Sequence, residues 1–288
     1  MQAEVGSGRV RLSKSDLVHC AIQDELTKRL SVIVSCYNEQ NTVAELLIRV
    51  RAALPFSQII VVDDGSTDES HWRISQVASK LCLEVMRLPA NRGKGAAVRH
   101  GLEFVNREYA IVQDSDLEYD PQDIANLLRF AIENNLPVVY GSRYLLSGRQ
   151  SGGRLVNYLA VKLLSAVVAI RFSVRLSDPA TCYKLMPTEL WRELGVRRDG
   201  FEYCQYTNVQ LLARKISIRE LPISYRPRSY RQGKKIGIRD FLPCVMALMR
   251  PRGRVEFLQS KPIELFRTCR PVDGRSVAQL NGHHAHEP

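Results

Sequence analysis

The sequence predicts an α/β protein with a mostly parallel central sheet and helices on both faces. Two observations predict it. Short runs of β-branched and apolar residues recur through the first half of the chain, each followed by apolar residues at helical spacing. Every polar cluster in that half ("YNE", "DDGS", "DSDLE", "GSRY") directly follows one of those runs. Open parallel sheets bind ligands there, beyond the carboxyl ends of their strands.

The elements follow in order. "LSVIVSCYNE" (30–39) reads as a buried strand running into a polar loop. "NTVAELLIRVRAAL" (41–54) places Val43, Leu46, Leu47, Val50 and Leu54 on one helical face, with Thr42 and Glu45 as a capping box. "QIIVVDDGSTDES" (58–70) repeats strand, acidic turn and capping box, here Ser66 with Glu69. "LEVMRL" (83–88) is a third strand, and "PANRGKGAAVRHGLEF" a glycine-rich turn opening a helix. "YAIVQ" (109–113) is a fourth strand, after which Pro121 suits the first turn of a helix bearing Ile124, Leu127, Leu128 and Ala131. "PVVYGS" (137–142) is a fifth. The second half is less regular: an apolar-faced helix over 154–170, then "ISIRELPISYRPRSYRQGKKIG" (216–237), which passes from a strand into a basic segment.

Composition limits the function classes. A chain of 288 residues with 45% hydrophobic content can bury a sizeable core. Its net charge of +11 points to a polyanionic partner: nucleic acid, an anionic membrane surface or phosphorylated small molecules. The seven cysteines are scattered without a CxxC pair, which reads as reduced thiols in a cytoplasmic protein. No secretory signal is visible, and no apolar stretch reaches the roughly 20 residues that span a bilayer.

"VQDSDLEYDP" (112–121) concentrates acid in an otherwise basic chain. In extended chain alternate residues face the same way, so Asp114 and Asp116 could both reach one ion. Their hard oxygens suit Mg²⁺ or Mn²⁺, which also bridge phosphates; a solvated acidic turn is the alternative. Asp63 and Asp64 end a buried strand, where a carboxylate can accept from a nucleobase N–H or from ribose hydroxyls. Lys94, between glycines at a helix start, favours phosphate, although its spacing is not that of a P-loop. Asp178 reads as a general base or as a turn aspartate before Pro179. The run 225–235 carries Arg226, Arg228, Arg231, Lys234 and Lys235 with no acid among them, a phosphate clamp or a solvated loop.

Seven motifs, "SVIVSCYNE", "IIVVDDGSTD", "NRGKGAA", "QDSDLEYDPQD", "VVYGSRY", "DPATCYK" and "ISYRPRSYRQGKKIGIRD", stand in the order and spacing of family 2 glycosyltransferases. Over roughly residues 30–240 the chain resembles soluble bacterial relatives of dolichyl-phosphate mannose synthase. The resemblance implies a GT-A fold (Rossmann-like), a UDP- or GDP-linked sugar donor, Mg²⁺ or Mn²⁺, and inversion at the anomeric carbon. It places Ser35, Tyr37, Glu39, Asp63, Asp64, Lys94, Asp114, Ser115 and Arg154 at the nucleotide sugar. It puts Asp114, Asp116 and Glu118 at the metal, and Asp178, Arg143, Lys234 and Lys235 in catalytic roles. The chain departs from the family at Gln205 and Tyr206, where relatives typically show Pro-Glu, and at Ser115, where alanine is usual.

The acceptor this implies is a polyprenyl phosphate, reached by peripheral contact with the cytoplasmic membrane face. Transfer to a glycan hydroxyl and a catalytically inactive nucleotide-sugar-binding homologue stay open, and no nucleic-acid partner is expected. The expected organisation is an extension at 1–28, the transferase domain at 29–245, and a C-terminal extension at 246–288, disordered from about 272.

Overall fold

Strand β1 (Leu30–Cys36) lies between β2 (Gln58–Asp63) and β4 (Tyr109–Asp114), parallel to both. The computed structural model describes residues 24–145, 155–228 and 241–249, with the backbone of a short strand at 266–267. β3 (Glu84–Arg87) extends the sheet beyond β2. β6 (Lys184–Pro187) adds antiparallel to β4, β5 (Val139–Ser142) antiparallel to β6, and β7 (Arg219–Pro222) parallel to β5. β8 (Phe266–Arg267) pairs antiparallel with β3. The order β7-β5-β6-β4-β1-β2-β3-β8 is mixed, with the parallel pairings at its centre. All of β2 and nearly all of β1 are buried, which is why both read as unbroken apolar runs.

The order places the site. The chain steps from β1 to β2 to β3, then returns to β4 on the far side of β1. Right-handed crossovers put the helices of those two directions on opposite faces and open a crevice at the reversal, between β1 and β4. The outward steps use α1 (Val43–Ala53) and α2 (Ser70–Ala78), which pack together; the return uses α3 (Lys94–Phe104), laid against β1 and β2. Register puts Ser35 opposite Asp114 and Cys36 opposite Asp63, so three strand ends, two of them acidic, meet at one edge. α4 (Gln122–Glu133) follows Pro121 as expected and rests on β5.

Neither expected capping box forms. The Thr42 hydroxyl donates to the Ser115 carbonyl at 2.8 Å and to Glu39 Oε2 at 3.0 Å instead of closing its own helix. α2 starts only at Ser70, and Ser66 Oγ accepts the Asn38 N–H at 3.0 Å. Both side chains tie neighbouring strand ends together, a tertiary use that outweighs local capping.

Beyond β5 the chain adds α5 (Leu155–Phe172), α6 (Thr188–Leu194), α7 (Tyr203–Ala213) and α8 (Phe241–Met249). α6 packs on β4, β6 and α3, while α8 packs on α5 and α7. Helix α7 carries no periodic signal in sequence, because it is buried nearly all round. The expectation that no segment could cross a bilayer is amended by α5. Its 18 residues, of mean hydropathy 1.7, are long and apolar enough by length and composition, and only 17% of them are buried.

Candidate active site

A cavity of about 340 Å³ opens at the crevice between β1 and β4. Ser35, Cys36, Tyr37 and Glu39 line it from the end of β1, and Asp64 from the end of β2. Asp114, Ser115, Asp116 and Glu118 come from β4 and its turn, and Lys94 from the start of α3. Of the nucleotide and metal residues expected from sequence that the structure describes, all but Asp63 therefore line one space. The second half of the chain closes it with Phe201 and Arg228.

Asp114 and Asp116 come together through a turn, not through strand alternation. β4 ends at Asp114, and Leu117 takes a left-handed φ of 60°, a conformation that costs energy for a non-glycine residue. That turn lets Asp116 Oδ1 accept the Glu118 N–H at 3.1 Å. Two cations answer the cluster. Lys94 Nζ contacts Asp114 Oδ1. The Arg228 guanidinium reaches Asp116 Oδ2 at 3.1 Å and both oxygens of Glu39 at 2.8 and 3.0 Å. Glu118 is occupied on both oxygens, by the Tyr225 hydroxyl and by the Arg228 backbone N–H, each at 2.6 Å. Burial, then repulsion from Asp114 and Glu118, still pushes the Asp116 carboxyl up to about 7. For Lys94 burial disfavours the charge, but the Asp114 carboxylate outweighs it and the pKa is raised.

The two aspartates of "VVDDGS" divide their work. Asp64 Oδ1 accepts the Arg92 N–H at 2.9 Å; Oδ2 accepts from Gly93 N–H at 2.8 Å and the Asn91 amide at 3.1 Å. It thus shapes the turn before α3 while facing the cavity, and burial raises its pKa. Asp63 lies outside the lining. Its carboxylate is fully buried, accepting the Ser66 N–H at 2.9 Å and facing His71 at 3.2 Å and Arg87 at 3.4 Å. The start of α3 is not the open anion site its glycines suggested. The Gly95 and Ala96 N–H groups both donate to the Asp199 carbonyl, at 2.7 and 3.2 Å. The loop comes so close that a Cβ on Gly95 would sit 1.9 Å from the Arg198 carbonyl oxygen. From this turn Asn91, Gly93 and Lys94 line the cavity, Lys94 being the one that brings a charge.

Asp178 and Arg143 pair with each other behind the cavity. Arg143 Nε and Nη2 donate to Asp178 Oδ2 and Oδ1 at 2.6 and 2.8 Å, and the Arg143 backbone N–H adds a third bond at 3.1 Å. The guanidinium lies over the rings of Tyr225, Tyr144 and Tyr119, with centroids 5.0, 5.4 and 5.8 Å away. Tyr225 also holds Glu118, so this pair borders the acidic cluster. Arg154, Lys234 and Lys235 lie outside the described residues.

Two aspartates with hard oxygens and a mutual repulsion that burial enlarges fit a divalent cation. Mg²⁺ characteristically takes one or two protein carboxylates and completes its shell with phosphate and water. Among the described residues no three acidic, histidine or cysteine side chains converge as an all-protein cage. Two carboxylates would leave room in the shell of such an ion for phosphate oxygens.

Residues 31–160 match the sequence profile of Glycosyl transferase family 2. The chain is 25% identical over 234 residues to the dolichol-phosphate mannosyltransferase of Pyrococcus furiosus, spanning 79% of this chain and 66% of that protein. It is 27% identical over 228 residues to the polyprenol monophosphomannose synthase of Mycolicibacterium smegmatis, spanning 73% of this chain and 82% of that one. The glucosyl-3-phosphoglycerate synthase of Mycobacterium tuberculosis, solved with Mg²⁺ and uridine-diphosphate, matches the structure with a TM-score of 0.59 at 18% identity. That match covers 88% of this chain and 92% of the other. The likeness bears on fold alone, and the fold is GT-A. The chain spans 44% to 66% of the length of the first three curated relatives it matches.

Proposed function

The chain belongs to glycosyl transferase family 2, and from that premise we propose that it moves a hexose from a UDP- or GDP-linked sugar to a polyprenyl phosphate, inverting the anomeric carbon. One observation carries the reading: Asp64, Asp114 and Asp116 face a single cavity into which Lys94 and Arg228 also project. In this reading Tyr37 and Asp64 take the nucleoside, and the aspartates of the β4 turn the diphosphate.

The barrier to displacement at the sugar C1 lies largely in charge growing on the departing diphosphate. Asp114 and Asp116 would hold Mg²⁺ or Mn²⁺, which when bound neutralises that charge; the mycobacterial synthase has been solved with either ion. Lys94 and Arg228 add fixed positive charge to the same space, and Phe201 covers it against water. The acceptor needs little activation, since a phosphate monoester with a second pKa near 6 is mostly dianionic at neutral pH. That suits a site whose one expected base, Asp178, has both oxygens committed to Arg143. A sugar hydroxyl would need a free base. Two relatives are named for dolichol phosphate and polyprenol monophosphomannose, which supports the lipid acceptor.

α5 and α8 supply a surface for a lipid-borne substrate. Leu155, Val156, Leu159, Leu163 and Ile170 of α5 and Leu242, Met246 and Met249 of α8 are exposed. An apolar patch of this kind on a strongly basic chain suits the anionic face of a membrane.

Incubation with polyprenyl phosphate, Mn²⁺ and each UDP- or GDP-hexose tests the reading. It expects a lipid-linked sugar of inverted configuration, lost in a folded Asp116→Asn variant. Transfer to glycan hydroxyls alone overturns the acceptor. Nucleotide-sugar binding without any turnover points to the inactive homologue.

A further inference from the structure

Behind the cavity the fold buries a lysine that forms no ion pair among the described residues. Lys184, on β6, is 1% exposed. Its ammonium donates to the Pro179 carbonyl at 3.2 Å and to Asn208 Oδ1 at 3.1 Å, and lies 3.8 Å from the centre of the Tyr140 ring. Burial pushes its pKa down to about 8, against the opposing pull of Cys204, Asp178, Cys182 and Glu220.

None of these bonds is needed to satisfy a buried partner. A carbonyl oxygen has two lone pairs, and the Gln205 and Asn208 amides already donate to Pro179 O at 3.2 and 2.7 Å. Asn208 Oδ1 keeps the Tyr140 hydroxyl at 2.9 Å. A buried cation without a touching counter-ion costs stability. The lysine is therefore a burden that polar satisfaction does not explain.

What it grips does. Pro179 opens the turn 178–182, and that turn reaches both halves of the site. Asp178 holds Arg143. The Cys182 thiol, with one proton to share, lies 3.3 Å from the Val112 carbonyl and 3.4 Å from Asp114 Oδ1, and the Cys182 N–H donates to the Tyr119 hydroxyl at 3.2 Å. Gln205, which shares the carbonyl, stands where the family typically has Pro-Glu.

We propose that Lys184 is a positioning residue: by holding the Pro179 carbonyl it fixes the turn that sets Arg143 through Asp178 and braces Asp114 through Cys182. The inference rests on the transferase reading only for the importance of those two residues.

The test needs no turnover. In protein carrying ¹⁵N-arginine, the Arg143 Nε–H should exchange slowly. Lys184→Met should speed it about tenfold, as loss of positioning would, while the buried Arg51 Nε–H, bound to the Leu81 carbonyl, keeps its rate. The melting temperature should hold or rise, since Met leaves no polar atom orphaned. Where transfer is measurable, kcat should fall with nucleotide affinity unchanged. An unchanged Arg143 rate, or equal acceleration at Arg51, overturns the proposal. If Lys184→Met does not fold, Gln205→Leu removes a different donor from the same carbonyl and should also speed Arg143 exchange selectively; an unchanged rate there overturns it. A protein that transfers no sugar but passes the exchange test refutes the function and leaves this assignment standing.

Discussion

Arg228 stands 3.1 Å from Asp116 and spans from there to Glu39, so a side chain from the second half of the chain neutralises the acidic edge of the first. The segment bearing it is fastened by Glu118, whose backbone carbonyl accepts the Arg226 N–H at 2.8 Å and whose carboxylate holds Tyr225 and the Arg228 N–H. An internal cation thus occupies ground that a metal and a diphosphate would share.

Arg228→Met should expose that substitution. Removing one partner from a largely buried group of charges costs roughly 3 kcal/mol, so the melting temperature should fall in metal-free buffer. Mn²⁺ should then restore more stability to the variant than to the wild type, by mass action on a site with no resident competitor. Calorimetric titration with Mn²⁺ alone checks it. Weaker Mn²⁺ binding in the variant would show that Arg228 supports the ion instead of standing in for it.

The Arg143–Asp178 pair predicts a non-additive cycle. Either Arg143→Met or Asp178→Asn alone strands a buried group and should cost about 3–5 kcal/mol. The double variant should recover most of that loss, because asparagine can still accept the Arg143-position N–H. Urea melts of the four proteins measure the coupling. Activity should be low in all three variants. Were Asp178 a general base instead, Arg143→Met would keep activity that the two variants lacking Asp178 lose.

How much of this was legible beforehand follows from where each signal resides. β1, β2 and β4 are buried on both faces, so their runs of Val and Ile announce them, and the carboxyl-end rule then locates Asp64, Asp114 and Asp116. Asp63 and Asp64 cannot be told apart in sequence, because one residue of register decides which faces the cavity and which turns to Ser66. Thr42 and Ser66 match a local capping pattern, yet their hydroxyls serve Ser115 and Asn38, partners 73 and 28 residues away. Arg228 belonged to a recognisable basic run, but nothing local singles it out from Arg226. Phe201 carries no signal of its own. Lys184 reads as the end of "DPATCYK", and only burial among Tyr140, Pro179 and Asn208 makes it unusual.

The same lysine sets a pH dependence of definite sign. Its folded pKa of about 8 lies below the ordinary lysine value of 10.5, so between these values the unfolded chain binds more protons and stability rises with pH. The cost of burying the charge is complete below the folded value and is relieved toward 10.5. Wild type and Lys184→Met share their other titrating groups, which cancel in the difference. Urea melts from neutral pH upward should therefore show the stability gap shifting in favour of wild type across that window, and a flat gap would mean that Lys184 does not titrate there.

The exposed face of α5 yields a prediction that separates membrane contact from chemistry. Leu159 and Leu163 lie one turn apart, 55% and 51% exposed, so they share a face that the described residues leave about half open. Substituting surface residues of this kind changes stability by only about 0.5 kcal/mol. Glutamate at both positions should thus leave the melting temperature and nucleotide binding intact, while it removes apolar area and adds repulsion from anionic lipid. Flotation with phosphatidylglycerol vesicles should fall at least about tenfold, given roughly 0.8 kcal/mol for each methylene no longer buried. Transfer to a short, water-soluble polyprenyl phosphate should persist, because Asp114, Asp116 and Arg143 are untouched. If flotation is unchanged, lipid is met elsewhere on the surface; if nucleotide binding is lost as well, the helix supports the site itself.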